Sequence, residues 1–178
     1  MMHFPGGRRR LLVVLLAAAV LSACGSDRIE ARPVVSGPCS PTSPEAKRAK
    51  PGPVQPLDVA TARGVVRLQV ELADTEAERA QGLMCRRSMA PDRGMLFDFK
   101  TSKSVYFWMK NTLIPLDMVF VAEDGRIVAI APNTTPLSEA PVGPGAPVLA
   151  VLELAAGRAA ALGIRPGDKI KHPIFSTR

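Results

Sequence analysis

The chain has 178 residues, 23 of them basic and 16 acidic, with a formal net charge of +7 and a pI near 9.8. Such a length carries one domain of ordinary size. It contains no Walker loop, dinucleotide fingerprint or zinc-type Cys/His spacing, so nucleotide, nicotinamide and structural-zinc chemistry are set aside and no cofactor or metal is expected.

Arg8, Arg9 and Arg10 precede the apolar run Leu11 to Val20, which is too short to span a bilayer as a helix. Leu21-Ser22-Ala23-Cys24 follows and looks like a bacterial lipobox. Residues 1–23 are therefore expected to be a lipoprotein signal peptide, with Cys24 the lipidated residue; an ordinary secretory signal beside a chance Cys is the alternative. Each buried acyl methylene contributes about 0.8 kcal/mol, so two or three chains anchor firmly where one does not. The expected location is the periplasmic face of the outer membrane in a host with two membranes, and otherwise the outer face of the plasma membrane. The signal holds three of the 23 basic residues and no acids, leaving 20 against 16, a balance of +4. That mild charge suits an anionic membrane surface, and without a basic stripe nucleic acid is set aside.

Residues 24–59 read as a disordered tether. Pro33, Pro38, Pro41, Pro44, Pro51, Pro53 and Pro56 recur through it, and such composition buries too little apolar surface to offset chain entropy. Cys39 and Cys85 remain after Cys24. An exported compartment permits a disulfide between them, and spacing leaves open the alternative of two free thiols.

Residues 60–178 are expected to form a single globular domain. Val66, Leu68, Val70 and Leu72 alternate with polar neighbours as a half-buried strand. Thr75-Glu76-Ala77-Glu78 fits a capping box and opens a short helix stopped by Gly82. Met95 to Phe99 and Val105 to Met109 read as strands joined by a turn over Lys100–Ser104. Leu116 to Val121 and Ile127 to Ala131 read as a hairpin around Asp124-Gly125. After a Pro-rich loop, Val148 to Leu154 is a strand, Ala155 to Leu162 a helix closed by Gly163, and a last strand lies near Ile170. The sum is a mainly β (α+β) domain, an antiparallel β-sandwich or a barrel-like form, with about two short helices.

Phe107-Trp108-Met109-Lys110-Asn111-Thr112, followed by Ile114-Pro115-Leu116-Asp117, resembles the signature FWMKNTxIPLD of the family known as domain of unknown function 192. Further matches fall at Gly82-Leu83-Met84 with Arg86, Gly94-Met95-Leu96-Phe97, Asp124-Gly125, and Val151-Leu152-Glu153-Leu154 with Gly157. Cys85 departs from the family pattern, which often has an aromatic there. The resemblance implies a compact, mostly β domain, often exported, with no established activity.

Polar residues inside an apolar run need hydrogen-bonded partners. Asn111 is expected to close a turn, Asp117 to cap backbone donors, and Lys110 to pair with Asp117 or Glu153. The functional alternative gathers Arg86, Trp108, Lys110, Asn111, Asp117 and Glu153 at a cleft, with Trp108 a stacking face for a sugar-like or other polar ligand. The expected partners are the membrane, through the lipid, and an envelope polysaccharide or another envelope protein. Two alternatives stand beside binding. One is an envelope enzyme using Asp117 and Glu153 on a saccharide. The other is a Cu(I) site built from Met84, Cys85, Met89 and Met109. A Cys85–His172 nucleophilic pair has no support in the spacing.

Overall fold

A computed structural model describes residue 37, residues 39–40 and residues 42–176. The expected signal peptide, Cys24 and the first part of the expected tether lie outside the described residues. Among the described residues seven strands form one sheet: β1 (Gln55–Thr61), β2 (Gly64–Ala73), β3 (Arg93–Lys103), β4 (Leu116–Val121), β5 (Ile127–Thr134), β6 (Val148–Ala155) and β7 (Lys169–Lys171). Their order is β5-β4-β6-β3-β2-β1-β7. Three short helices accompany them: α1 (Pro44–Arg48), α2 (Glu76–Gln81) and α3 (Arg158–Leu162).

All neighbouring strands are antiparallel except β2 and β3. A parallel pair needs a crossover, and α2 with the link after it supplies one. The capping box forms as read: the Thr75 hydroxyl accepts from Glu78 N at 3.2 Å, while the Glu78 carboxylate accepts from Thr75 N at 3.0 Å. Gly82, at φ 47°, ends the helix.

The sheet curls into a half-barrel rather than stacking as a sandwich. Its two edges meet where Arg126 bridges Lys169 and Ile127 N donates to Asp168 O at 2.8 Å. Gly125 makes that closure feasible. Its φ is 84°, Ile170 N donates to its carbonyl at 2.8 Å, and an added Cβ would stand 2.6 Å from Ile170 O. Gly125→Ala is therefore expected to cost on the order of 2–3 kcal/mol, combining backbone strain with the clash. Gly167→Ala makes the control, because its φ of 96° brings strain but nothing lies within 4 Å. Equal urea midpoints for the two variants would show that the Ile170 contact is immaterial.

Strands β4 and β6 and the first half of β3 are buried on both faces. Leu96, Val119, Val121, Leu152 and Leu154 point to the interior of the curl, among Leu57, Val59, Leu68, Val70 and Ile170. Met95, Phe97, Met118, Phe120 and Val151 point outward, where Leu83, Val105 and Met109 cover them. The cover is the stretch expected as a strand over 105–109. It makes one bridge, Phe107 with Val142, and Met109 N donates to Ser138 O at 2.7 Å. It therefore lies across the sheet, paired with the Pro-rich loop. The turn expected at Lys100–Ser104 is likewise absent, since β3 continues to Lys103.

Part of the expected tether is built into the domain. It carries α1 and the start of β1, Gly52 N donates to the Glu71 carboxylate at 2.7 Å, and Arg48 Nε donates to Gln81 Oε1 at 2.9 Å. A disulfide joins Cys39 to Cys85 across 5.0 Å between Cα atoms. Local hydrogen bonds and this bond hold the Pro-rich segment where its own apolar content would not.

Candidate functional site

The outer face of β3 and β6, the start of the covering segment and α2 enclose a cleft of about 370 Å³. Phe97, Phe99, Val105, Phe107 and Leu83 line its walls. Phe107 packs edge-on against Phe97 at 5.1 Å and Phe99 at 6.1 Å between ring centroids, an arrangement favoured by the ring quadrupoles. At the mouth Tyr106 and Trp108 are 73% and 51% exposed, unusual for rings this large.

Glu153 lies on the floor of this cleft and is 4% exposed. Its register partners are Met95 on β3 and Met118 on β4, so its side chain shares their outward face and finds no hydrogen-bonding neighbour there. Among the described residues no hydrogen bond or ion pair reaches the carboxyl. Burial alone pushes its pKa up to about 8. A buried carboxyl left without protein partners is costly, and such groups concentrate at functional sites.

Cationic groups at the rim are engaged elsewhere. Arg79 Nη1 donates to the carbonyls of Asp74 at 2.6 Å and Asp98 at 2.9 Å. Lys103 Nζ stands 5.0 Å from the Phe99 ring centroid.

Of the six candidate ligand-binding residues, Trp108 and Glu153 meet in the cleft and four do not. Asp117 is fully buried on the opposite face of the sheet, in register with Leu154. Its Oδ1 accepts from Asn133 N at 2.9 Å and Gly157 N at 3.0 Å, and its Oδ2 accepts from Ala159 N at 2.9 Å. It thus caps α3, whose own N-cap, Gly157, has no side chain to do so. Lys110 pairs with neither Asp117 nor Glu153. Its Nζ lies 5.2 Å from the Trp108 ring centroid and 3.9 Å from Glu139 Oε1, at the surface. Asn111 turns the chain at φ 56°, and its carbonyl accepts from Cys85 N at 2.8 Å. Arg86 is not beside Glu153; it pairs with Glu71, Nη2 to Oε2 at 2.7 Å, along a second hollow.

These placements correct three chemical alternatives. Asp117 and Glu153 occupy opposite faces, so no two-carboxylate site forms. Cys85 is bonded to Cys39 and supplies neither a thiolate for Cu(I) nor a nucleophile for His172. Met109 is a core residue that accepts from the Thr134 hydroxyl at 3.1 Å. The cleft residues missed from sequence are Arg79, Phe97, Phe99, Lys103, Tyr106 and Phe107. The i, i+2 spacing of Phe97 and Phe99 and the adjacent aromatic run Tyr106-Phe107-Trp108 were the available signal.

The fold and cleft define a half-barrel domain with an aromatic-lined hollow on its outer face. The chain belongs to the family DUF192, an uncharacterized ACR, whose pattern matches residues 58–172. It is similar to a Sinorhizobium meliloti 1021 protein described as a "putative transcription regulator", with 46% identity and a TM-score of 0.66 over 70% of this chain and 99% of that one. It is also similar to a protein of unknown function from Novosphingobium aromaticivorans DSM 12444, with 44% identity and a TM-score of 0.65 over 67% of this chain and 85% of that one. No curated protein matches the chain.

Proposed function

We propose that this is a lipid-anchored protein of the cell envelope whose domain binds a small molecule in the aromatic cleft. The observation that carries the binding reading is Glu153, a buried carboxyl without a protein partner on the floor of that cleft. Binding fits better than catalysis, because no second acid, base or nucleophile joins Glu153 among the described residues of the cleft floor. Leu83, Phe97, Phe99, Val105 and Phe107 give the cleft an apolar side beside the polar Arg79, Gln81, Lys103 and Ser104, and a polysaccharide would touch chiefly the exposed Tyr106 and Trp108 rings. A small molecule with an apolar body would enter and use the depth.

A fragment screen by NMR on the nitrogen-15-labelled full chain tests this, read at the indole N–H of Trp108, the chain's one Trp. Hits are expected to shift that resonance together with the Tyr106 and Phe107 amides, and to leave the Ile170 amide unmoved. A screen without such hits overturns the reading.

The anchor rests on the Arg8–Arg10 cluster, the short apolar run and Cys24. Cys24→Ser is expected to leave the protein unprocessed or soluble. If the variant still sediments with membranes after a high-salt wash, at the size of the parent, the lipid anchor is wrong.

A further inference from the structure

We infer that the molecule held by the cleft presents a carbonyl or carboxylate oxygen on an apolar ring body, and that the Glu153 carboxyl meets this oxygen as a hydrogen-bond donor. The inference rests on the binding reading above and names the chemistry of its ligand.

The groups facing Glu153 decide its role. From the sheet, Met95 and Met118 flank it and offer nothing that donates to a carboxylate. From α2, Arg79 is turned to the Asp74 and Asp98 carbonyls. From the end of β3, Lys103 lies over Phe99. From the covering segment come Tyr106, largely exposed, and Thr112, whose hydroxyl is directed to Lys110 O at 3.3 Å. A buried carboxyl with no cation beside it is favoured in its neutral form, and burial raises its pKa accordingly. A neutral carboxyl has one O–H to donate, and nothing in the described protein accepts it. A ligand oxygen placed there would satisfy the group.

An amine is the competing occupant, since it would pair with an ionised Glu153. It would have to pass the cationic Arg79 and Lys103 at the rim, which repel it and attract a carboxylate or a carbonyl dipole. The walls choose the rest of the molecule. The Phe97, Phe99 and Phe107 rings line the cleft and favour an aromatic body packed against them.

The test titrates the labelled full chain with 2-naphthamide, 2-naphthoate and 2-naphthylmethylamine, read at the Trp108 indole N–H. The amide and the carboxylate are expected to bind, with the amine weaker by about tenfold or more, because pairing with it requires the buried Glu153 carboxyl to ionise. Glu153→Gln keeps a donor and is expected to hold the amide within about threefold of the parent. Glu153→Leu removes the donor and is expected to lose about tenfold or more, with amide dispersion elsewhere unchanged as the check on folding. Raising the pH from 6 to 9.5 should weaken the amide in the parent and not in Glu153→Gln. Tightest binding by the amine, or full-strength binding of the amide by Glu153→Leu, overturns the inference and leaves the cleft reading standing. No shift with any of the three probes overturns both.

Discussion

Asp117→Ala is expected to remove on the order of 3–5 kcal/mol of stability, the largest loss for any single truncation of a candidate residue. Asp117 has no exposure, and its two oxygens take three backbone N–H groups. Those donors come from β5, from the loop before α3 and from the first turn of α3, so one side chain ties three segments together. Alanine leaves all three donors without that acceptor, and each buried orphan costs about 1–3 kcal/mol before relaxation. Domains of this size are stable by only about 5–15 kcal/mol, so the loss is a large share of the total. Asp117→Asn keeps an acceptor oxygen and is expected to fall between the variant and the parent. Urea unfolding measures both, and hydrogen exchange at Asn133, Gly157 and Ala159 should show the local release. An unchanged midpoint for the alanine variant would mean that these N–H groups find other acceptors.

The family signature marked the polar cluster around Trp108, and alternation marked β2 and β4. Those are local signals. The pattern over 105–109 was also real, since Val105 and Met109 are buried while Tyr106 and Trp108 are exposed. Alternation reports one-sided burial, however, and says nothing about which backbone pairs with which. Here the partner is the loop around Ser138 and Val142, and the segment becomes the wall of a cleft instead of a strand of the sheet. The opposite error hid β1. Pro51, Pro53 and Pro56 dominate its start, yet Pro56 takes its place opposite Gln69, and Leu57 and Val59 supply core contacts. Proline content described the local chain correctly and missed the tertiary partners that offset its entropy.

Register decided the site. Asp117 and Glu153 lie on adjacent strands, β4 and β6, and both come from motifs that the sequence marked. One residue of register separates a shared face from opposite faces. Because Met118, not Asp117, stands beside Glu153, one acid caps a helix and the other waits in a cleft. The polar character of both residues was legible; their division into scaffold and site was not.

Glu153→Gln is the second large expectation, and its sign depends on pH. Burial raises the folded pKa of Glu153 from an ordinary 4.5 to about 8. Between those values the folded state holds a proton that the unfolded chain has released, so stability falls as pH rises across that window. Above pH 8 the folded protein carries a buried, ionised carboxylate without a partner, and the accumulated loss is on the order of 5 kcal/mol. His172 acts in the reverse direction at lower pH. Burial holds its imidazole below the usual range, so that contribution is present above pH 6.5 and is lost as pH falls from there through the lower folded value. Glutamine matches Glu153 in size and has no proton to lose. The urea midpoint of the parent should therefore decline from pH 6.5 to 9, while that of Glu153→Gln stays nearly level and lies well above it at pH 9. The difference between the two proteins isolates this group from every other titration. If both fall together over that range, Glu153 has a cationic or hydrogen-bonding partner in the folded protein, and the cleft floor is not the unpaired acid described above.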